Sequence, residues 1–381
     1  MASAADLNAV GMVVRQFSGR RSLAHGEPAE SLPPESQAAL RQLSLERLMA
    51  YGVHHADAIE LRARVASGEP WKETATELAE TCLNPPESIV SPTTGATLIN
   101  RLYRSSALLR MSQMMMLTDV PERKAIFARA GELFREAALA DGGRRDVRIE
   151  TRNGPLIGWH FAAADTPVGQ VLVIGGVEGW AMDFAEMGVA LAARNLEVLV
   201  LDGPGQGESR LLLGHYLSGD WVDTYRDVLD WMEQQSPHLP IGMVGNSMGG
   251  SFAVHLAAVD SRIVACCDNG GTSMPAMAKA NATFFLKMTA HVGNVSEDEA
   301  VAVWSTVRPT DPEHPIQAPL LVIQGGLDPL ITNADATFLF DRAASPDKEM
   351  VIFSDGDHCV YNHPDDKLAL IGDWLRSRLD R

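Results

Sequence analysis

Two spacings of apolar residues divide the chain. Up to about residue 145 they recur at intervals of three and four, the period of an amphipathic helix. RQLSLERLMAYGV (41–53), DAIELRARVAS (57–67), PWKETATELAETCL (70–83) and ATLINRLYRSSALLRMSQMMML (96–117) all read this way. PERKAIFARAGELFREAALA adds a helix from Pro121, a residue suited to a first turn. The loops SLPPES and LNPPESIVSPTTG separate these elements.

From about residue 146 the pattern changes. DVRIET and LIGWHFAA read as two strands joined by the turn RNGP. Continuous apolar runs then alternate with helical segments. QVLVIGG precedes FAEMGVALAARN, and LEVLVLDG precedes WVDTYRDVLDWMEQQ. IGMVGNS precedes FAVHLAAVD, and RIVACCDNGG follows. PLLVIQGG precedes ATFLFDRAA, and EMVIFSDGDH precedes KLALIGDWLRSRL. Such runs predict strands buried on both faces, hence a mostly parallel, doubly wound α/β sheet. Residues 273–307 break the rhythm as an inserted helical segment. The predicted organisation is therefore an all-helical domain over 1–145 and an α/β domain over 146–381. Ligands of such sheets bind beyond the carboxyl ends of the strands.

Composition narrows the partners. Basic and acidic residues number 17 each over residues 1–145 and 15 against 32 over 146–381, so the net charge of −17 falls on the second part. An acidic body argues against nucleic acid or an anionic membrane as partner. No stretch reaches the roughly 18 apolar residues of a membrane span, and MMML (114–117) reads as helical core or pocket lining. The start, MASAADLNAVGMVVRQFSG, lacks a basic region followed by an apolar run. Cys82, Cys266, Cys267 and Cys359 show neither metal spacing nor a disulfide framework, which predicts reduced thiols and a cytoplasmic protein.

Chemistry concentrates at the strand ends. Gly245-Asn-Ser247-Met-Gly249 lies between a strand and a helix. The G-x-S-x-G spacing suits a serine on a turn too tight for neighbouring side chains, beside a helix N-terminus. The N–H of Met248 would then face a developing oxyanion. A nucleophilic serine needs a base, and the base an orienting acid, in the order Ser, Asp, His on such a fold. Asp328 in GGLDP and His358 in SDGDH follow two later strands in that order. Their rivals are Asp268 and His363; Asp355 and Asp357 read as turn residues. In IGGVEGW, Gly175 and Gly176 permit close backbone approach, and Val177 is the candidate second N–H donor. DGPGQGES (202–209) reads as a tight shaping loop. Glu178 has two readings: a first-turn helix residue favoured by the dipole, or a second acid/base group. Gly176, Trp180, Tyr103, Met111, Met114 and Met115 are candidate substrate-lining residues, although methionines at helical spacing equally suit a core. No HExxH, P-loop or dinucleotide fingerprint is present, and His54 and His55 resemble no metal pair. No metal or cofactor is expected.

Together these residues resemble the α/β-hydrolase fold. RLMAYGVHHADAIELRARVASGEPW, GGVEGW and LDGPGQGES further resemble the branch that includes 2,6-dihydroxypseudooxynicotine hydrolase and fungal polyketide-shortening hydrolases. The resemblance covers roughly the full chain, loosely over the helical part. It implies a helical cap over an α/β-hydrolase domain, a small-molecule substrate between them, and hydrolysis of a carbon–carbon bond next to a ketone. Ser247 would attack, with His358 as base and Asp328 orienting it. Met248 and Val177 would hold the oxyanion, and Glu178 and His358 are the candidate proton carriers. Other members of the branch cleave esters or amides. A carboxylesterase or thioesterase, a catalytically silent binding module, and an isomerase or cyclase on the same scaffold are the alternatives. A cap that joins subunits would make the protein a homodimer.

Overall fold

The computed structural model describes residues 12–15, 28–85, 94–280 and 282–380. It divides into two compact units, Ser22–Asp146 and Met1–Arg21 with Val147–Arg381. Most of the loop expected at 83–95, and most of the N-terminal stretch read for a leader, lie outside the described residues.

The Ser22–Asp146 unit is helical. Its elements are α1 (Pro34–Gln42), α2 (Leu45–Ala50), α3 (His55–Ala66), α4 (Trp71–Leu83), α5 (Gly95–Ser112) and α6 (Pro121–Asp141). The helix expected over 41–53 is broken, because Ser44 leaves helical geometry and caps α2 by accepting the Arg47 N–H at 3.1 Å. Pro121 occupies the first turn of α6, and Gly142, at φ 72°, closes its end in the left-handed conformation. Inside the unit, the buried Arg110 donates to Ser106 Oγ and the Tyr51 carbonyl. MMML departs from the helical expectation: α5 ends at Ser112, so 114–117 lie in the turn that follows.

The second unit is built on a sheet in the order β1-β9-β8-β7-β6-β4-β5-β3-β2. Its strands are β1 (Met12–Arg15), β2 (Arg145–Thr151), β3 (Gly154–Phe161), β4 (Gly169–Ile174), β5 (Leu196–Asp202), β6 (Ile241–Asn246), β7 (Ile263–Asn269), β8 (Leu320–Gly325) and β9 (Lys348–Phe353). From β5 to β1 all pairings are parallel, and β3 pairs antiparallel with β5. This is the doubly wound sheet that the continuous apolar runs predict; β4, β6 and β8 are buried at every position. The α-helices of this unit, among the described residues, are α7 (Ala185–Ala192), α8 (Gly207–Leu211), α9 (Trp221–Gln235), α10 (Met248–Val259), α11 (Ala282–His291), α12 (Glu297–Trp304), α13 (Asn333–Arg342) and α14 (Pro364–Leu379). Helices α11 and α12 fill the insertion expected over 273–307. Trp221, Phe252 and Trp304 pack in sequence, with ring centroids 4.9 and 5.7 Å apart.

One strand breaks the all-helical expectation for residues 1–145. Met12–Arg15 pairs in parallel with β9, Met12 opposite Met350, and completes the sheet edge. Among the described residues no helix is long and apolar enough to cross a membrane.

Candidate active site

The parallel register aligns the strand ends that carry the polar residues. Ile174 stands opposite Gly245, Gly245 opposite Asp268, and Gly325 opposite Phe353. The segments leaving β4, β6, β8 and β9 therefore emerge at one edge.

Ser247 joins β6 to α10 with φ 55° and ψ −129°. Positive φ is strained for a residue with a Cβ, and the surroundings enforce it. A Cβ added to Gly245 would lie 2.0 Å from the Gly249 carbonyl oxygen; one added to Gly249 would lie 2.4 Å from that of Gly175. The Ser247 N–H donates to the Asn269 carbonyl at 2.9 Å, which ties the turn to the end of β7. Met248 opens α10, so its N–H belongs to the first turn, which lacks intrahelical acceptors.

The structure brings Ser247, His358 and Asp328 together. His358 Nε2 lies 2.9 Å from Ser247 Oγ, and Nδ1 lies 2.7 Å from Asp328 Oδ2. A carboxylate only accepts, so Nδ1 carries the proton and Nε2 faces the serine hydroxyl as acceptor. The other oxygen of Asp328 accepts the backbone N–H groups of Leu330 and Ile331 at 2.7 and 3.0 Å. Asp328 is thereby fixed from two sides. Burial pulls the His358 pKa down, but the acidic neighbours Cys359 and Asp328 outweigh it and hold it above the ordinary imidazole value. The rivals are committed elsewhere. His363 Nε2 pairs with Asp355 at 2.9 Å. Asp268 accepts the Gly271 N–H at 2.9 Å, and its burial pushes its pKa up to about 7. Asp357, as expected of a turn residue, accepts the backbone N–H groups of Tyr361 and Asn362.

The loop after β4 lies against this group. A Cβ added to Gly176 would come within 2.9 Å of Ser247 Cβ and 3.2 Å of its Oγ. Val177 is buried, and its carbonyl accepts from His291 Nε2 at 2.8 Å. Glu178 is not in a helical first turn: Gly179 turns the chain at φ 86°, and the next helical turn starts only at Ala181. Its carboxylate is ion-paired with Lys287 of α11, both side chains being largely buried. Lys287 and His291 escaped the reading of the sequence. Their signal was a lysine and a histidine four apart in the largely apolar run FFLKMTAHV, which places both on one helix face. The DGPGQGES loop is also tied here, since Gln206 Nε2 donates to the Gly175 and Gly176 carbonyls.

The candidate lining residues fall in two places. Trp180 is buried in the sheet-containing unit, its backbone N–H donating to Asp183 at 2.8 Å. Tyr103, Met111, Met114 and Met115 belong to the helical unit. There Tyr103 packs edge-on against Phe134 at 5.1 Å. Met111 and Met114 are buried, the Met111 carbonyl accepting the Trp71 indole N–H at 2.9 Å, and Met115 is half-buried.

A family model described as the alpha/beta hydrolase family matches residues 171–369. The 2,6-dihydropseudooxynicotine hydrolase of Paenarthrobacter nicotinovorans is 25% identical over 353 residues, which span 87% of this chain and 91% of that protein. Hydrolase ffsE of Aspergillus flavipes is 41% identical over 85 residues, 19% of each chain. The crystal structure of 2,6-dihydroxy-pseudo-oxynicotine hydrolase superposes with a TM-score of 0.74 at 22% identity, over 88% of this chain and 95% of that one. These are the relatives to which the helical N-terminal motif, GGVEGW and LDGPGQGES pointed.

Proposed function

The chain belongs to the alpha/beta hydrolase family, and on that premise we propose that it cleaves a carbon–carbon bond next to a ketone by way of an acyl-enzyme on Ser247. The substrate is a small 1,3-diketone or polyketide-like molecule, bound without a metal or cofactor. The observation that carries the serine chemistry is the hydrogen-bonded chain from Asp328 through His358 to a serine held at positive φ.

The reaction follows from that chain. Ser247 Oγ adds to a carbonyl carbon as His358 Nε2 takes its proton. The N–H groups of Met248 and Val177 bind the resulting oxyanion. Collapse expels the adjacent carbon as an enolate, which takes the proton back from His358 and leaves as a ketone. Water, activated by the same imidazole, then releases the carboxylic acid. Glu178 carries a carboxylate, which alone would oppose a nearby oxyanion. Its pairing with Lys287 balances that charge, so His358 is the proton carrier of this scheme. The carbon–carbon specificity rests on the likeness to the 25%-identical 2,6-dihydropseudooxynicotine hydrolase.

Mass spectrometry of products from an aryl 1,3-diketone and a matched aryl ester, with wild type beside Ser247→Ala, tests the reading. Acid and ketone from the diketone, absent with the variant, are expected. Serine-dependent cleavage of the ester alone would make the protein a carboxylesterase.

A further inference from the structure

A backbone N–H can stabilise an oxyanion only if its peptide plane is held at one rotation before the charge appears. In a trans peptide the carbonyl and the following N–H point in opposite directions. Whatever anchors the Gly176 carbonyl therefore aims the Val177 N–H the opposite way.

That anchor is Gln206. Its Nε2 donates to the Gly176 carbonyl at 2.9 Å and to the Gly175 carbonyl at 2.7 Å. Its Oε1 accepts the Gly203 N–H at 3.0 Å, which uses the amide in both directions and fixes its orientation. The side chain is 1% exposed, so water does not compete for these bonds. The next carbonyl, that of Val177, is held by His291. His291 in turn abuts the Gln206 loop: a Cβ on Gly205 would meet its carbonyl oxygen at 2.7 Å. Three consecutive carbonyls of the loop that lies against Ser247 thus accept hydrogen bonds from buried side chains. Gly203 and Gly205 are required for this fit, since a Cβ on Gly203 would lie 2.0 Å from the Tyr225 hydroxyl.

We propose that Gln206 is a positioning residue for catalysis, which orients the Val177 N–H toward the oxyanion by holding the Gly176 carbonyl. The proposal rests on the serine-hydrolase reading of the same site. It gives the GPGQG loop a role in transition-state binding, with no contact to the substrate itself.

Gln206→Glu keeps the shape and the acceptor but replaces the donor with an oxygen. Gln206→Met removes both polar atoms and guards against misfolding caused by a buried charge. Functional sites are counted by labelling Ser247 to completion with a fluorophosphonate. Then kcat per labelled site, KM and affinity for an aryl boronic acid, which mimics the tetrahedral adduct, are measured. Misaligning one oxyanion donor should lower kcat per labelled site about 10- to 100-fold. KM should stay within about twofold, and boronate affinity should fall in parallel with kcat. A merely structural glutamine would reduce the number of labelled sites or the melting temperature with kcat per site unchanged, and that result overturns the proposal. Failure of wild type to label at all overturns the serine reading, and this inference with it.

Discussion

His358 Nε2 sits 2.9 Å from Ser247 Oγ, although the two residues are 111 positions apart in the chain. If this contact is the proton path, the two side chains act as one unit. Ser247→Ala and His358→Ala should each lower kcat by about 10⁶-fold, and the double variant should be no worse than either single. Multiplied losses would mean that the residues work independently, which the proposed mechanism does not allow.

The Asp328–His358 bond gives a pH signature. His358 must be neutral to accept the serine proton, and its pKa is held above the ordinary 6.5. The acid limb of kcat/KM should therefore have its midpoint above pH 6.5 and move down in Asp328→Asn. That variant should also lose about 10⁴ in kcat, because an amide can turn the wrong atom toward Nδ1. An unchanged limb in Asp328→Asn would assign the orienting acid elsewhere.

The elbow around Ser247 predicts a contrast among glycines. Gly245→Ala and Gly249→Ala place a methyl group 2.0 and 2.4 Å from backbone atoms that cannot move aside. Both should fail to fold or lose all activity. Gly95→Ala, at the start of α5 with nothing within 4 Å of the new methyl, should instead stabilise by about 0.4–1 kcal/mol. Urea melts and esterase assays on the three variants check this.

The Lys287–Glu178 pair can be separated from chemistry by a double-mutant cycle. Removing one partner strands a largely buried charge, so Glu178→Gln and Lys287→Met should each cost roughly 3 kcal/mol. The double variant should be more stable than either single. Additive losses would show that the two charges do not depend on each other.

What could be read in advance follows from how far each signal reaches along the chain. β4, β6 and β8 are legible because a strand buried on both faces is a continuous apolar run. Ser247, Asp328 and His358 are legible because each directly follows such a run. Gln206, Lys287 and His291 are less so: the spacing of Lys287 and His291 marks a shared helix face, but the partners of the three lie 30, 109 and 114 residues away and nothing local names them. The reading of Glu178 as a helix start missed that Gly179 reverses the chain at φ 86°. MVVR became a strand only through pairing with β9, at the other end of the sequence.

His255 makes stability depend on pH in a direction that can be worked out. It lies on α10, 8% exposed, and its Nδ1 accepts the Arg308 backbone N–H at 2.7 Å. Burial, reinforced by the Arg308 charge, lowers its pKa from 6.5 to about 4. Between those values the unfolded chain binds a proton here that the folded protein refuses. This contribution is thus full above pH 6.5 and is lost as the pH falls toward 4, to the extent of roughly 2–4 kcal/mol. Asp202 and Asp268 act in the opposite sense. Their pKa values are raised by burial to about 7 from 3.8. They retain protons that the unfolded chain has released, so their contribution is full below pH 3.8 and fades as the pH rises toward 7. The wild-type curve is the sum, and only a difference isolates the histidine. In His255→Gln the amide oxygen can accept the Arg308 N–H but cannot be protonated in this range. The stability gap between wild type and variant should therefore move steadily in favour of the variant from pH 6.5 to pH 4 in urea melts. Parallel curves across that window would mean that His255 does not resist protonation in the folded protein.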